Sequence, residues 1–203
     1  HGKRFAKICQ TAMFLPFFLS WVVASYFVFS FLSFDKGLVN QLLVKIGVEP
    51  IQWYLYEKYW PFILVLINVW KNTGYGMVVY LASITGIDST YYEAAVIDGA
   101  TKWQQIKSIT LPFIKPVIII MFILSVGKIF NSDFGLFYQV PKNAGALFNV
   151  TATIDTYVYK AIEGTGSMAM SSSAAFFQSV IGFITIITAN KIVKRFDKEN
   201  GLF

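Results

Sequence analysis

Residues 93–112 read Glu-Ala-Ala-Val-Ile-Asp-Gly-Ala-Thr-Lys-Trp-Gln-Gln-Ile-Lys-Ser-Ile-Thr-Leu-Pro. This polar stretch carries four charged side chains, and long apolar runs lie on both sides of it. About 20 consecutive apolar residues are enough for a helix to cross the hydrocarbon core of a bilayer. A polar segment between two such runs indicates a loop that joins two membrane spans. The sequence therefore predicts an all-α, polytopic membrane protein organised around this loop.

The composition supports the membrane assignment and excludes several chemistries. Of the 203 residues, 56% are hydrophobic and 14% are charged, whereas soluble domains have about 25% charged residues. Cys9 is the single cysteine and His1 the single histidine, so this stretch of chain has no internal disulfide. Histidine catalysis and zinc binding are nearly excluded for the same reason. We expect no catalytic residue and no metal site, hence a protein that is not an enzyme.

Four apolar runs predict four transmembrane helices, at about 12–34, 61–83, 112–130 and 172–192. Pro16 is expected near the start of the first span, where a missing amide does least harm. Gly74 and Gly76 are expected to interrupt the second span. Residues 1–203 then form a single transmembrane domain, with residues 84–111 as the loop between the second and third spans.

The residue patterns of three connecting segments also predict local structure. Apolar residues at helical spacing predict short amphipathic helices at about 38–46 and 150–162, with Asn40 on the polar face of the first. Five aromatic residues within 53–60 favour the headgroup level of a bilayer, so the second span should begin there.

The basic residues are distributed unequally between the two sides of the predicted membrane. The two ends of the chain and the loop containing residues 93–112 hold ten lysines and arginines, whereas the two opposite loops hold five. By the positive-inside rule, both ends and this loop face the cytoplasm. The net charge of +6 is therefore interpreted as membrane orientation, and we expect no nucleic-acid partner.

The local chemistry of the central loop predicts two short helices joined by a glycine turn. Thr90 and Glu93 have the spacing of a capping box, so the first helix should begin at Thr90. Gly99 should end it, because glycine adopts the left-handed conformation without a steric cost. Trp103 and its apolar neighbours give the second helix one apolar face, and Pro112 should end that helix.

The same stretch resembles the EAA loop of ATP-binding-cassette (ABC) importer permeases, which reads Glu-Ala-Ala, three residues, Gly, nine residues and Ile-x-Leu-Pro. Seven positions fall in register: Glu93, Ala94, Ala95, Gly99, Ile109, Leu111 and Pro112. The resemblance extends over nearly all of residues 4–203 and is greatest to the carbohydrate-uptake branch, particularly permeases for oligosaccharides and polysaccharide fragments. The stretches that carry this narrower likeness are 14–21, 69–76, 92–100 and 155–159. Permeases of this kind imply about two further spans upstream of residue 1.

The resemblance implies a type I importer core with a defined set of partners. These are an ABC ATPase dimer, a second permease subunit, an extracellular solute-binding protein and a carbohydrate, in a bacterial cytoplasmic (inner or plasma) membrane. ATP and Mg²⁺ are expected on the ATPase subunits, with no cofactor in this chain. The residues implied to couple the loop to the ATPase are Glu93, Ala94, Ala95, Asp98, Gly99, Ala100 and Trp103.

Polar and aromatic side chains in and beside the spans are candidates for the path of the sugar, because sugars require hydrogen-bonding groups and flat aromatic faces. They are Asn68, Trp70, Lys71, Asn72, Tyr75, Asn131 and Tyr138. Ordinary helix packing or an interfacial aromatic belt is the structural alternative for this set. Lys71 has its own alternative, pairing with a carboxylate of a partner chain or reaching out to the interface.

Three rival functions follow from the same residues. An importer of amino acids or peptides would keep the same loop and differ in its spans. A membrane-embedded enzyme would need carboxylates, histidine or a nucleophile and base within the spans, which contain no Asp, Glu or His. A passive channel would have no use for a loop that engages an ATPase.

Overall fold

The computed structural model describes residues 2–164 and 167–196, and every regular element in these ranges is helical. The α-helices are α1 (Gly2–Phe18), α2 (Trp21–Leu32), α3 (Leu38–Lys45), α4 (Trp60–Thr85), α5 (Ser89–Ile97), α6 (Lys102–Gln105), α7 (Leu111–Gly127), α8 (Phe148–Thr151), α9 (Ile154–Glu163) and α10 (Met168–Phe196). Short 3₁₀ turns lie at Glu57–Tyr59 and Gly145–Leu147, and π-helical turns at Ile106–Thr110 and Gly135–Gln139. The all-α prediction is confirmed.

Three helical runs within the described ranges are long and apolar enough to cross a membrane: Glu57–Thr85, Lys102–Gly127 and Met168–Arg195. They correspond to the second, third and fourth predicted spans. A fourth span is present only if α1 and α2 are counted together as one broken span. The amphipathic helices expected at 38–46 and 150–162 are found as α3 and α9.

The first span differs from its prediction. A continuous helix over 12–34 is wrong, because α1 and α2 meet at an angle of 106°. Ser20 causes the restart: its extended backbone leaves the helix and its hydroxyl accepts a hydrogen bond from the amide of Val23 at 3.2 Å. Pro16 lies near the end of α1 rather than near the start of a span. The uncharged composition of the run concealed this cap.

The second span also differs, because α4 runs from Trp60 to Thr85 without the interruption expected at Gly74 and Gly76. Gly74 is instead a point of close approach to α1. A Cβ atom there would lie 2.5 Å from the carbonyl oxygen of Met13. The missing side chain therefore lets two backbones touch, while the helix remains regular.

The described chain divides into two compact units. The first comprises His1–Gly74 and Asn131–Gln178, and the second comprises Tyr75–Phe130 and Ser179–Phe203. The core of the first unit consists of Trp60, Leu64, Ile67, Leu136, Val140 and Leu147.

Two of the aromatic rings expected at the headgroup level pack inside the first unit. Trp60 is fully buried and donates its indole N–H to the carbonyl oxygen of Trp53 at 2.7 Å. Its ring centroid lies 5.1 Å from that of Tyr54. Burial raises the pKa of the Tyr54 hydroxyl above its ordinary value. Packing inside the unit accounts for these two rings, and α4 begins at Trp60, where the aromatic cluster predicted the start of the second span. The headgroup level of the rings stays a prediction.

Asn40 organises the connection between α2 and α4. It is 3% exposed, although the amphipathic pattern assigned it to the polar face. Its side-chain amide donates to the carbonyl oxygen of Ile51 at 2.9 Å, and its oxygen accepts from the Ile51 amide and the Trp53 indole, each at 3.0 Å. A single side chain thus satisfies the polar backbone of a segment that would otherwise be buried unpaired.

In the second unit, α7 and α10 pack through small residues. A Cβ atom at Gly127 would lie 2.5 Å from the Ile186 side chain, and one at Gly182 would lie 3.3 Å from the carbonyl oxygen of Gly127. Ile123, one turn before Gly127, is fully buried. Small residues at such a contact let membrane helices approach closely.

Candidate functional site

The loop between α4 and α7 forms the first candidate site, and it begins with α5. Asp88 is the N-cap, since its carboxylate accepts a hydrogen bond from the Thr90 amide at 3.0 Å. Hydrogen bonds from the backbone and the side chain of Thr90 hold the pKa of the Asp88 carboxyl group below its usual value. The capping box predicted at Thr90 is therefore wrong, and the helix begins at Ser89. Glu93 instead accepts a hydrogen bond from the Ser89 hydroxyl at 3.2 Å.

The helix ends in the glycine turn that the sequence predicts. Gly99 has a φ angle of +74°, in the left-handed region. Across the turn, the amide of Ala100 donates to the carbonyl oxygen of Ala95 at 2.8 Å. A Cβ atom at Gly99 would meet no other atom within 4 Å, so the requirement for glycine comes from the backbone angle and not from crowding.

The second helix of the loop does not end where it was predicted to end. Thr101 and Gln104 form a reciprocal capping box at its start. From Lys102 the chain stays helical through the π-helical turn Ile106–Thr110 and into α7, so the break expected before Pro112 is wrong. The Leu111 amide donates to the Ile106 carbonyl, five residues back, and Pro112 follows directly after this π-helical turn.

The two short helices leave an exposed apolar surface. No residue of α5 is buried. Ile97 is 87% exposed and Trp103 is 74% exposed, with Val96 more than half exposed. Next to them lies an open depression of about 330 Å³, lined among others by Asp98, Gly99, Ala100 and Gln104. A cluster of exposed apolar side chains that is bordered by polar residues is typical of an interaction site.

The predicted coupling residues are all in this surface or at its edge. Glu93, Ala94, Asp98, Gly99 and Trp103 are exposed, and Ala95 and Ala100 are half-buried. Ile97 and Val96 belong to the same surface, although no motif position pointed to them. Their apolar side chains at the end of an exposed helix were the available signal.

The predicted path residues on α4 fall on different faces. Asn68 and Asn72 are exposed one turn apart, and the Asn72 amide donates to the Asn68 oxygen at 2.6 Å. Trp70 instead lines an apolar groove of about 560 Å³ with Phe27 and other side chains of α2, α3 and α4. Tyr75 is exposed, on the part of α4 that belongs to the second unit.

Lys71 does not lie on an open surface. It is 7% exposed, and its ammonium group donates to the carbonyl oxygen of Phe17 at 3.1 Å. The same group lies 5.0 Å from the Trp21 ring centroid. A cation at the carboxyl end of a helix is favourable, so Lys71 satisfies the end of α1 where the chain bends. The contact gives Lys71 a structural role, but its partner is a backbone carbonyl group of the same chain, which is neither the partner-chain carboxylate nor the reach to the interface that was considered.

The remaining path candidates lie after α7. Asn131 is exposed. Tyr138 stacks on Phe134 with ring centroids 4.8 Å apart and contacts Tyr159 at 4.9 Å. Its hydroxyl donates to the Glu163 carboxylate at 3.3 Å, and partial burial together with this neighbouring carboxylate raises the pKa of Tyr138. Phe134, Tyr159 and Glu163 were not predicted, since their sequence separation gives no sign that they meet.

The segment that carries Asn131 and Tyr138 is held in place by a polar network. The Asp155 carboxylate accepts from both the amide and the hydroxyl of Ser132, at 2.6 and 2.7 Å. The next residue, Asp133, accepts from the Trp21 indole at 2.8 Å. The chain between α7 and α9 is thus tied to α9 on one side and to α2 on the other.

Within the part of the chain that the structure describes, no group of three or more His, Cys, Asp or Glu side chains is arranged to hold a metal ion.

Comparisons with known proteins agree on one family. Residues 3–198 match the family described as "Binding-protein-dependent transport system inner membrane component". The polygalacturonan/rhamnogalacturonan transport system permease protein YteP of Bacillus subtilis (strain 168) is 35% identical over 96% of this chain and 60% of its own length. The arabinooligosaccharides transport system permease protein AraP of Halalkalibacterium halodurans is 31% identical over 96% of this chain and 61% of its own length.

A solved structure gives the same result for the fold. A chain of a bacterial alginate ABC transporter, crystallised in complex with an alginate pentasaccharide-bound periplasmic protein, matches with a TM-score of 0.86 and 31% identity. The match covers 98% of this chain and 68% of that one. The present chain spans about three fifths of the length of the two curated relatives described above.

Proposed function

Given that the chain belongs to the family of binding-protein-dependent transport system inner membrane components, we propose that it is a permease subunit of an ATP-driven importer. Its solute is a carbohydrate, most simply an oligosaccharide, that passes into the cytoplasm. The names of its relatives support this solute class, because YteP and AraP are permeases for polygalacturonan/rhamnogalacturonan and for arabinooligosaccharides.

The observation that carries the proposal is the exposed element from α5 to α6. Its helix has no buried residue and ends in a left-handed glycine, and it presents apolar side chains next to an open depression of mixed lining. Glu93, Ala94, Ala95, Asp98, Gly99, Ala100 and Trp103 form the surface on which an ATPase subunit docks. ATP and Mg²⁺ bind to a dimer of such subunits, and this chain performs no covalent chemistry.

The family and the charge distribution support the rest of the proposed assembly. A second permease subunit completes the pathway, and a solute-binding protein delivers the sugar from outside the cell. Both ends of this chain and the α5–α6 element lie on the cytoplasmic side, where lysine and arginine are concentrated. Coupling requires that ATP and sugar favour different conformations of the same spans.

Six of the seven path candidates remain reasonable sugar contacts: Asn68, Trp70, Asn72, Tyr75, Asn131 and Tyr138. The Tyr138 ring, with Phe134 and Tyr159 around it, provides aromatic surface, and Asn68 and Asn72 provide exposed amide groups. Lys71 is better assigned to the end of α1 that it contacts.

Co-purification tests this function. The tagged full-length protein is expressed with its genomic neighbours, extracted in detergent and compared with the Glu93→Ala and Gly99→Asp variants. Glu49→Ala serves as a control, because Glu49 is an exposed carboxylate of the other unit. We expect an ATPase with the wild type and the control, and a loss of ATPase or of ATP-driven uptake in the two loop variants.

The outcomes separate the proposal from its rivals. If the co-purified ATPase is stimulated by amino acids or peptides rather than by sugars, the proposed solute class is wrong and the chain belongs to an importer of those solutes. If no ATPase co-purifies, or if both loop variants keep full association and uptake, the importer proposal fails and a channel becomes the better explanation.

A further inference from the structure

Among the described residues, one hydrogen bond between side chains joins α5 to the spanning helix that follows it. The Tyr92 hydroxyl and the Thr110 hydroxyl lie 2.8 Å apart, and either can be the donor. Resting on the function proposed above, we infer that Tyr92 and Thr110 are positioning residues that transmit the movement of α5 to the helical run Lys102–Gly127. Neither residue belongs to the surface assigned to the ATPase.

The first step of the argument is how little else holds α5. None of its residues is buried, so no apolar core fixes its position. At its ends it is attached through the Asp88 cap and the Gly99 turn, which are hydrogen-bonded turns of the backbone and not buried packing contacts. Its position relative to the span therefore depends on the few side chains that face inward, and Tyr92 is half-buried whereas the neighbouring Tyr91 and Glu93 are exposed.

The second step is where the partner lies. Thr110 is the last residue of the π-helical turn Ile106–Thr110, directly before α7. π-Helical turns are rare in proteins, and those that occur often lie at functional sites. The bond from Tyr92 therefore reaches the span at the one irregular turn of the run and links α5 to that turn. A ring contact between Tyr91 and Phe113, with centroids 5.0 Å apart, lies beside it and gives no directional bond.

The third step is the consequence for coupling. An ATPase that displaces α5 must shift the membrane helices, and a directional bond to Thr110 transmits that displacement sideways into the span. Without it, α5 can still dock but can move independently of Lys102–Gly127. The expected defect is ATP hydrolysis with little transport, which differs from loss of docking.

The experiment compares Tyr92→Phe, Thr110→Val and the double variant in the full-length permease, assembled with its ATPase and binding protein in liposomes. The ratio of radiolabelled oligogalacturonide imported to ATP hydrolysed is measured. One neutral hydrogen bond corresponds to about a two- to tenfold effect on an equilibrium. We expect each single variant to lower the ratio by about that factor, the double variant to be no worse than either, and ATPase co-purification to stay unchanged.

Two controls keep the test specific. Tyr91→Phe removes a hydroxyl group that forms no hydrogen bond with the described residues, so it should leave the ratio unchanged. Thr110→Ser keeps the hydroxyl group and should restore most of the coupling. Amide hydrogen exchange within residues 89–97 provides a second readout, which should become several times faster in Tyr92→Phe and not in Tyr91→Phe.

The inference is overturned if Tyr92→Phe and Tyr91→Phe behave alike in both readouts, or if the two single effects multiply in the double variant. Wild-type complex that hydrolyses ATP without importing any sugar would instead refute the proposed carbohydrate function. In that case the exchange rates of residues 89–97 still decide whether Tyr92 fixes α5.

Discussion

Gly74→Ala tests whether α1 rests directly against α4 at Gly74. The added Cβ atom would lie 2.5 Å from the Met13 carbonyl oxygen and 2.7 Å from the Phe14 Cα atom. Ordinary contacts of a Cβ atom begin at 3.4 Å, so the two helices would have to separate by close to an ångström. Both obstructing atoms belong to the backbone and cannot rotate away.

The magnitude follows from two opposing terms. Forcing an extra methyl group into a packed contact costs about 1–3 kcal/mol, whereas alanine favours a helix over glycine by about 1 kcal/mol. The net loss in the free energy of unfolding is therefore up to about 2 kcal/mol. Gly76→Ala is the matched control, because a Cβ atom at Gly76 meets nothing within 4 Å and only the favourable term applies.

The assay is thermal unfolding of the full-length protein in detergent, followed by tryptophan fluorescence. The difference between the two variants isolates the steric cost, since the helix preference is common to both. Gly74→Ala should melt several degrees below Gly76→Ala, at about 2–4 °C for each kcal/mol. Equal melting temperatures would refute the reasoning, because they would mean that α1 does not rest against Gly74.

Two further changes test local chemistry. Asp88→Ala removes the N-cap of α5 and should weaken that helix by about 1 kcal/mol, seen as faster amide exchange in Ser89–Ile97, whereas Asp88→Asn keeps a capping oxygen and should exchange like the wild type. Asn40→Leu leaves the Ile51 backbone and the Trp53 indole without their buried partner. Each unpaired group should lower the free energy of unfolding by about 1–3 kcal/mol. The melting temperature of Asn40→Leu should fall well below that of Gln41→Leu, an exposed neighbour; similar values for the two would contradict the role of Asn40.

Parts of the candidate site could be predicted from the sequence because their causes are local. Gly99 adopts a positive φ angle that other residues rarely accept, so its place in the turn followed from its chemistry and spacing. The cap was misassigned because Asp88 and Thr90 are both good cap residues, and the choice depends on which carboxylate or hydroxyl meets an amide. The continuation past Pro112 required a π-helical turn, which no residue pattern announces.

The sequence by itself determined the number of apolar runs, the polar loop between them and the helical class, because the transfer of residues into a bilayer depends on composition and length. Only the tertiary structure decided where Lys71 donates its hydrogen bond, why Gly74 is a glycine and where the first span bends. The bond of Lys71 and the close approach at Gly74 each depend on a distant part of the chain, whereas the bend depends on whether Ser20 caps α2. Composition predicts whether a side chain prefers water or the bilayer. Which atom it finally contacts is decided by how distant parts of the chain pack together.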